Sequence, residues 1–436
     1  MSDEIGDGGV DVLVGGFGPL NGESCRGIEW VTVAGDEGGG SRAGDADADA
    51  GRAVGSVARG LVADLPSPTW LLRWRDVIVA VLENTGELAS MRLSLHGGRP
   101  SLMMLSRVAV PGEGPTHAVA THDDRGSAVV LVADYGDGTI AVHGLDEAGR
   151  ICESKQSIPA PAGHGPLPAQ EGPHAHWILP LPDGRVLTTD LGADRVHVHE
   201  WDDGVLRRVG SIVLPAGTGP RDMHLLPMPD GGWRVAVVGE WGGDVTVLDL
   251  GAGHAASVPA PGSDDDASAD DGRSGRCVQR ISLSAAPGDQ AASLAFVPDA
   301  AWRPVRERTS SASSDGMAYV GLRGSDRIMA LRWSQGRLSY VPAWGGHDGG
   351  GRSGFPDDPS ADRSWRERGV SSGGGRPRHI LAYGRMLVVS NETSNHLDVF
   401  GIADDGRPVA RDVVSVGSPT VTLPVTLPIG EPGVAR

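Results

Sequence analysis

Five side chains in this sequence have the chemistry to work together on an anionic small molecule: His174 and His176 in GPHAH, Arg221 in GTGPRDMH, Glu240 in VVGEW and Arg323 in LRGSDR. An imidazole or a carboxylate can take a proton from water. A guanidinium presents a rigid fork of donors to a phosphate, a carboxylate or a developing oxyanion. Arg378 in RPRH and Thr116 in GPTH stand at comparable places after a proline and are expected to contribute to substrate binding. These residues are scattered along the chain, so a fold has to gather them.

The elements that could do so recur. EGPHAHWILPLPDGRVLTTDLGADRVHVHEW (171–201) and GTGPRDMHLLPMPDGGWRVAVVGEWGGDVTVLDL (217–250) share a proline corner, a short strand, a Pro-Asp-Gly turn, a second strand, a polar loop and a third strand. Weaker copies begin at Pro68, Pro115, Pro377 and, with an eroded corner, near Ala291. A seventh is divided between SPTVTLPVTL near the C-terminal end and VDVLVGGFG with CRGIEWVTV near the start. Alternating apolar runs and abundant glycine and proline give an all-β chain, and the repeat length is that of a four-stranded blade. The expected fold is a seven-bladed β-propeller over 1–436, its ring closed by N-terminal strands pairing with a C-terminal strand. Four stretches rich in Gly, Ser, Asp and Arg (35–54, 261–276, 306–316 and 345–375) fall outside the repeat and are expected to be mobile insertions.

In such a disc the corners before the first strands and the loops after the second strands share one face. The residues after the corners, Thr69, Thr116, His174, Arg221, Arg378 and Thr420 with Ala292 or Ser293, are expected to ring the channel mouth. Glu83, Asp134, Asp190, Glu240, Arg323 and Glu392 are expected to form a second ring from the loops. Period two on a strand places His176 on the same side as His174. His197 and His199, alternating with valines, read as a solvated strand face, and Asp183 and Asp230 as turn formers.

Composition removes other classes. With 38 basic against 56 acidic residues the net charge is -18, which argues against nucleic acid and anionic membranes as partners. Three dispersed cysteines, Cys25, Cys152 and Cys277, offer neither a disulfide framework nor a zinc site. The HxH pair lacks a third metal ligand, and a single lysine, Lys155, leaves little room for Schiff-base chemistry. The expectation is a cytoplasmic monomer that needs no metal or cofactor.

The order of G-x-G-P-R, P-H-x-H, G-E or N-E after a second strand, and the R-G loop of LRGSDRIMAL resembles the lactonase family of seven-bladed propellers, of the 6-phosphogluconolactonase and muconate-lactonizing type. That resemblance implies a site of one histidine (His174 or His176), two arginines (Arg221, Arg323) and a glutamate (Glu240), acting on a small anionic sugar lactone. Glu240 or either histidine would serve as base. Where the family carries Cys-His or Arg-His after the corner, this chain has Thr116-His117 and Arg221-Asp222. A muconate-type cycloisomerase and a propeller that only binds a ligand are the other readings, and an Arg221–Glu240 pair would also suit a plain inter-blade salt bridge.

Overall fold

The structure, a computed structural model, describes residues 9–35, 55–251, 275–302, 314–341 and 369–425. Its alternating apolar runs form antiparallel strands grouped into seven blades arranged as a β-propeller. Blade 1 runs Pro68–Trp74, Val77–Leu82, Glu87–His96 and Arg99–Ala109 from the axis outward. The innermost strands of blades 2 to 6 are Pro115–His122, Ala175–Pro180, Pro220–Pro227, Ala291–Pro298 and Pro377–Tyr383. Blade 7 joins the two ends of the chain: Pro419–Pro424 pairs with Val10–Gly16, which pairs with Gly27–Val33 and then Val57–Asp64. Pro419–Pro424 also packs against the innermost strands of blades 6 and 1, closing the ring.

The core consists of slabs between neighbouring blades. Ala236, Val238, Val245 and Val247 of blade 4 meet Leu294, Ala318, Val320 and Leu331 of blade 5. Trp333 completes that slab and donates its indole N–H to the Pro227 carbonyl at 2.7 Å. Second strands are covered on both faces, so VIVAVL (Val77–Leu82) is buried throughout, whereas outer strands such as Arg99–Ala109 face solvent over much of their length. Pro-Asp-Gly segments turn the chain as expected: Asp183 caps the Arg185 amide at 3.1 Å, and Asp230 caps that of Gly232 at 2.9 Å. Among the described residues helix is confined to Asp299–Trp302 and two single 3-10 turns, Pro19–Asn21 and Glu83–Thr85; no helix is long and apolar enough to cross a membrane.

Two expectations are corrected. His197 and His199 do not face solvent; they are 5% and 2% exposed. His197 contacts Ser211 Oγ at 2.7 Å and Asp190 Oδ2 at 3.4 Å, and His199 Nε2 meets Thr188 Oγ1 at 3.0 Å. A third strand is still covered by the adjoining blade, so alternation there separates two buried faces rather than core from water. The stretch 345–375 also runs too far, because Val370–Ser371 pairs with Arg327 and Ile328 of blade 5 and Ser372 is fully buried. Arg276 and Gly316 likewise open strands, and most of the four insertions lies outside the described residues.

Candidate active site

Every innermost strand enters the ring through the same irregularity. In blade 1 Pro68 pairs with Leu82 and Trp70 with Val81, leaving Thr69 as an extra residue. The same slip leaves out Thr116, Arg221, Arg378 and Thr420. In blades 3 and 5 two residues, His176-Trp177 and Ala292-Ser293, stand opposite one. An extra residue of this kind bends the strand and re-aims its side chain. Thr69, Thr116, His176, Arg221, Ala292, Arg378 and Thr420 accordingly line one cavity of about 400 Å³, open mouth included.

The register revises both expected rings. In blade 3 Ala175, not Pro173, pairs with the end of the second strand at Asp190, so His176 takes the place expected for His174. His174 does not line the cavity; its Nδ1 donates to the Tyr135 carbonyl at 2.7 Å and its ring stacks on Tyr135 with centroids 4.6 Å apart. Asp134 and Asp190 pair directly with the corner residues and are one position early for the second ring. The equivalent residues there are Glu83, Tyr135, Leu191, Glu240, Arg323, Glu392 and Phe17. Asp190 is committed to the backbone, accepting from the His174 and Ala193 amides at 3.0 Å each.

In blades 2, 4, 5 and 6 the residue that follows on from the bulge latches the blade to its neighbour. His117 Nδ1 accepts from the Ile178 amide at 3.2 Å, Asp222 Oδ2 from Leu294 at 2.9 Å, Ser293 Oγ from Ile380 at 3.4 Å and His379 Nδ1 from Thr422 at 3.3 Å. Each reaches into the next blade. The histidine after the corner is therefore an acceptor of a backbone N–H, and Asp222 performs that task in blade 4. Burial, with Arg221 nearby, holds the His117 imidazole well below its ordinary range, and burial brings His379 down to about 3. Below the mouth, Trp70, His117, Trp177 and His379 close the channel, with the His117 and Trp177 rings 3.9 Å apart and Trp70 at 4.6 Å from His117.

Four of the five expected site residues form one unbroken run. Arg221 Nη1 donates to His176 Nε2 at 2.6 Å, Arg221 Nε lies 3.4 Å from Glu240 Oε2, and Glu240 Oε1 is 2.6 Å from Arg323 Nη2. All four are at most 8% exposed. The Gly-Thr-Gly corner sets Arg221 in place: Asp194 of blade 3 accepts from the Gly217 and Gly219 amides at 2.7 Å each. Gly219 has φ +58°, and a Cβ there would stand 2.4 Å from the Trp241 ring, so glycine is required. Arg378 donates to Glu392 at 3.0 Å and lies over the Phe17 ring at 4.8 Å.

The family model described as "Lactonase, 7-bladed beta-propeller" matches residues 49–259. Over those residues the chain is similar to the lactonase family of seven-bladed β-propellers. A relative, the 6-phosphogluconolactonase of Bacillus subtilis, is 31% identical over 156 residues, which is 35% of this chain and 43% of that protein. An uncharacterized Staphylococcus aureus protein is 31% identical over 145 residues, or 32% of this chain and 41% of its own length. The chain thus spans less than half the length of either relative. In fold it is similar to a putative 6-phosphogluconolactonase from Bacteroides fragilis (TM-score 0.68, 18% identity, covering 98% of this chain and 100% of that one). It is likewise similar to a periplasmic gluconolactonase from Pseudomonas aeruginosa (TM-score 0.66, 21% identity, 96% and 99% covered).

The electrostatics of the channel mouth follow from burial. Desolvation, with Arg323 and Arg378 repelling, pulls Arg221 down to about 9 against the pull of Glu240, so it stays charged at neutral pH. Desolvation and the neighbouring Arg221 hold His176 well below the ordinary imidazole range, so it is neutral. Because Arg221 can only donate, His176 Nε2 is the acceptor and the proton sits on Nδ1. That Nδ1 is buried with no hydrogen-bond partner.

Proposed function

We propose that the chain hydrolyses an anionic sugar lactone, with 6-phosphogluconolactone as its substrate, by attack of water on the ring carbonyl. The observation that carries this reading is the run His176–Arg221–Glu240–Arg323 at the mouth of a cavity that Arg378 also lines. Arg221 and Arg378 line that cavity, with Arg323 joined to Arg221 through Glu240, beside the carboxyls of Glu83 and Asp222 in the wall. These guanidiniums suit a phosphorylated substrate and a negative transition state, and the Bacillus subtilis 6-phosphogluconolactonase supports the same substrate class.

Each group has a task in this reading. Arg221, oriented by its bond to His176 Nε2, stabilises the oxyanion that forms as water adds to the carbonyl. Arg323 and Arg378 clamp the phosphate, and Glu240 holds the two inner guanidiniums at a fixed spacing. Thr116 lines the same cavity. His176 Nε2 is occupied by Arg221, so it is not free to take the proton of the attacking water. That proton passes to a carboxylate. With a chain this acidic overall, capture of an anion depends on local focusing in the mouth rather than on long-range attraction.

The test is the ratio of kcat/KM for 6-phosphogluconolactone and for unphosphorylated gluconolactone, each corrected for spontaneous hydrolysis. Charge-assisted contacts to the phosphate predict a preference of about 100-fold for the phosphorylated lactone. Equal values for the two would remove the phosphate clamp.

A further inference from the structure

Sevenfold register puts three glutamates at equivalent positions, one residue past the second strands of blades 1, 4 and 6: Glu83, Glu240 and Glu392. Two of them are engaged. Glu240 lies between Arg221 and Arg323, and Glu392 between Arg378 at 3.0 Å and Arg376 at 3.8 Å. Glu83 makes no ion pair among the described residues. It is also the member of the three that lines the cavity, together with Thr69, His176, Arg221 and Arg378. Its Oε2 is shut off from solvent and meets no hydrogen-bond partner.

A carboxylate ion-paired with two guanidiniums, as Glu240 is, is a poor proton acceptor, because taking the proton forfeits both charged contacts. Glu83 has no ion pair within 4 Å to forfeit, and the pull of Arg378 and Arg221 on it is outweighed by burial. Resting on the lactonase reading, we infer that Glu83, rather than Glu240, exchanges the proton with water and with the leaving oxygen of the lactone. As the water oxygen bonds to the carbonyl carbon, its proton passes to the Glu83 carboxylate. The tetrahedral intermediate then collapses, and the bond from that carbon to the ring oxygen breaks with its electron pair going to oxygen. Glu83 returns the proton there, giving a hydroxyl. The carboxylate is regenerated, and the product acid ionises to solvent. Glu240 is a positioning residue that fixes Arg221 and Arg323.

Burial supports the role by raising the Glu83 carboxyl above its ordinary range, against the lowering influence of Arg378, Thr69 and Arg221 and with Glu392 adding to the rise. The three imidazoles on the same cavity are kept neutral: His117 and His176 lie well below their ordinary range, and His379 is down to about 3. Asp222, the other carboxyl lining the cavity, is also raised by burial but accepts the Leu294 N–H, so loss of the acid limb in Glu83→Gln is what assigns it to Glu83, with the rate rising as that carboxyl ionises.

The experiment compares full-length wild type, Glu83→Gln, Glu83→Asp and Glu240→Gln on freshly prepared 6-phosphogluconolactone, as kcat and KM from pH 4.5 to 7.5, after subtraction of the spontaneous rate. The expected result for Glu83→Gln is a kcat lower by roughly 100-fold or more with KM within about threefold, and loss of the acid limb. Glu83→Asp keeps the limb at reduced rate, which separates loss of the proton acceptor from loss of folding. Glu240→Gln keeps the limb and mainly raises KM. A kcat for Glu83→Gln within about fivefold of wild type, or an acid limb that persists there and vanishes in Glu240→Gln, would overturn the inference while leaving a working lactonase. Wild type no faster than the spontaneous reaction would instead remove the lactonase reading, and this role with it.

Discussion

Arg221 is the residue on which the site converges, because its fork reaches His176 with one nitrogen and faces Glu240 with another. A lysine is a single point charge and cannot do both. Arg221→Lys is therefore expected to keep the fold and to lose at least about tenfold in kcat/KM on the lactone, with unchanged thermal unfolding as the control. A second residue-scale prediction concerns Asp134, which is fully buried with both oxygens unpaired. Burial, with Asp137 adding repulsion, pushes its carboxyl up to about 8. The folded state thus holds a proton that the unfolded chain has already released above the ordinary carboxylate range, and stability falls as pH rises toward 8. Asp134→Asn is expected to flatten that slope and to raise the midpoint of denaturant unfolding at pH 8 relative to wild type. An unchanged difference between the two proteins from pH 5 to pH 8 would contradict it. Sequence alone could not show this, since Asp134 and Glu83 both look like polar residues closing a hairpin. Pairing decides which points into the channel and which is sealed between blades.

At the scale of the element, the extra residue at each corner explains how much of the site was legible. The proline corner and the positions of Arg221, Arg378 and Thr116 follow from counting residues after it, because in those blades the proline itself pairs with the second strand. In blade 3 the count fails by two: Ala175 holds the pairing position, so His176 reaches the cavity and His174 turns to Tyr135. Nothing in the letters GPHAH signals that shift. The latches were hidden for a related reason, since a histidine, a serine and an aspartate share a task only once the next blade's unpaired amide is visible. Asp222 provides the test. Asp222→Ala leaves the Leu294 N–H without its acceptor and is expected to cost about 1–3 kcal/mol in denaturant unfolding, whereas Asp222→Asn retains an acceptor oxygen and costs less. Equal losses in both variants would show that the carboxylate charge, not the latch, matters.

For the whole molecule, repetition made the architecture readable. Seven blades, the division of the last one between the chain ends and the common face of corners and loops all follow from register in the sequence. The length of the insertions did not, because Val370 and Ser372 sit in a glycine-rich stretch and are ordered by blades 5 and 6 rather than by their own composition. Ring closure predicts that a chain lacking Pro419–Pro424 exposes the Val10–Gly16 strand edge and loses its single cooperative unfolding transition. Closure also holds the proposed site together, since residues from blades 3, 4 and 5 meet at the mouth only if the disc is complete. The most direct test of that meeting is the initial rate of 6-phosphogluconolactone hydrolysis by wild type and by Arg221→Ala, under one buffer and corrected for the spontaneous reaction. The account predicts a clear enzymatic rate that falls by roughly 100-fold or more in the variant. A wild-type rate equal to the spontaneous one, or an Arg221→Ala rate equal to wild type, would contradict it.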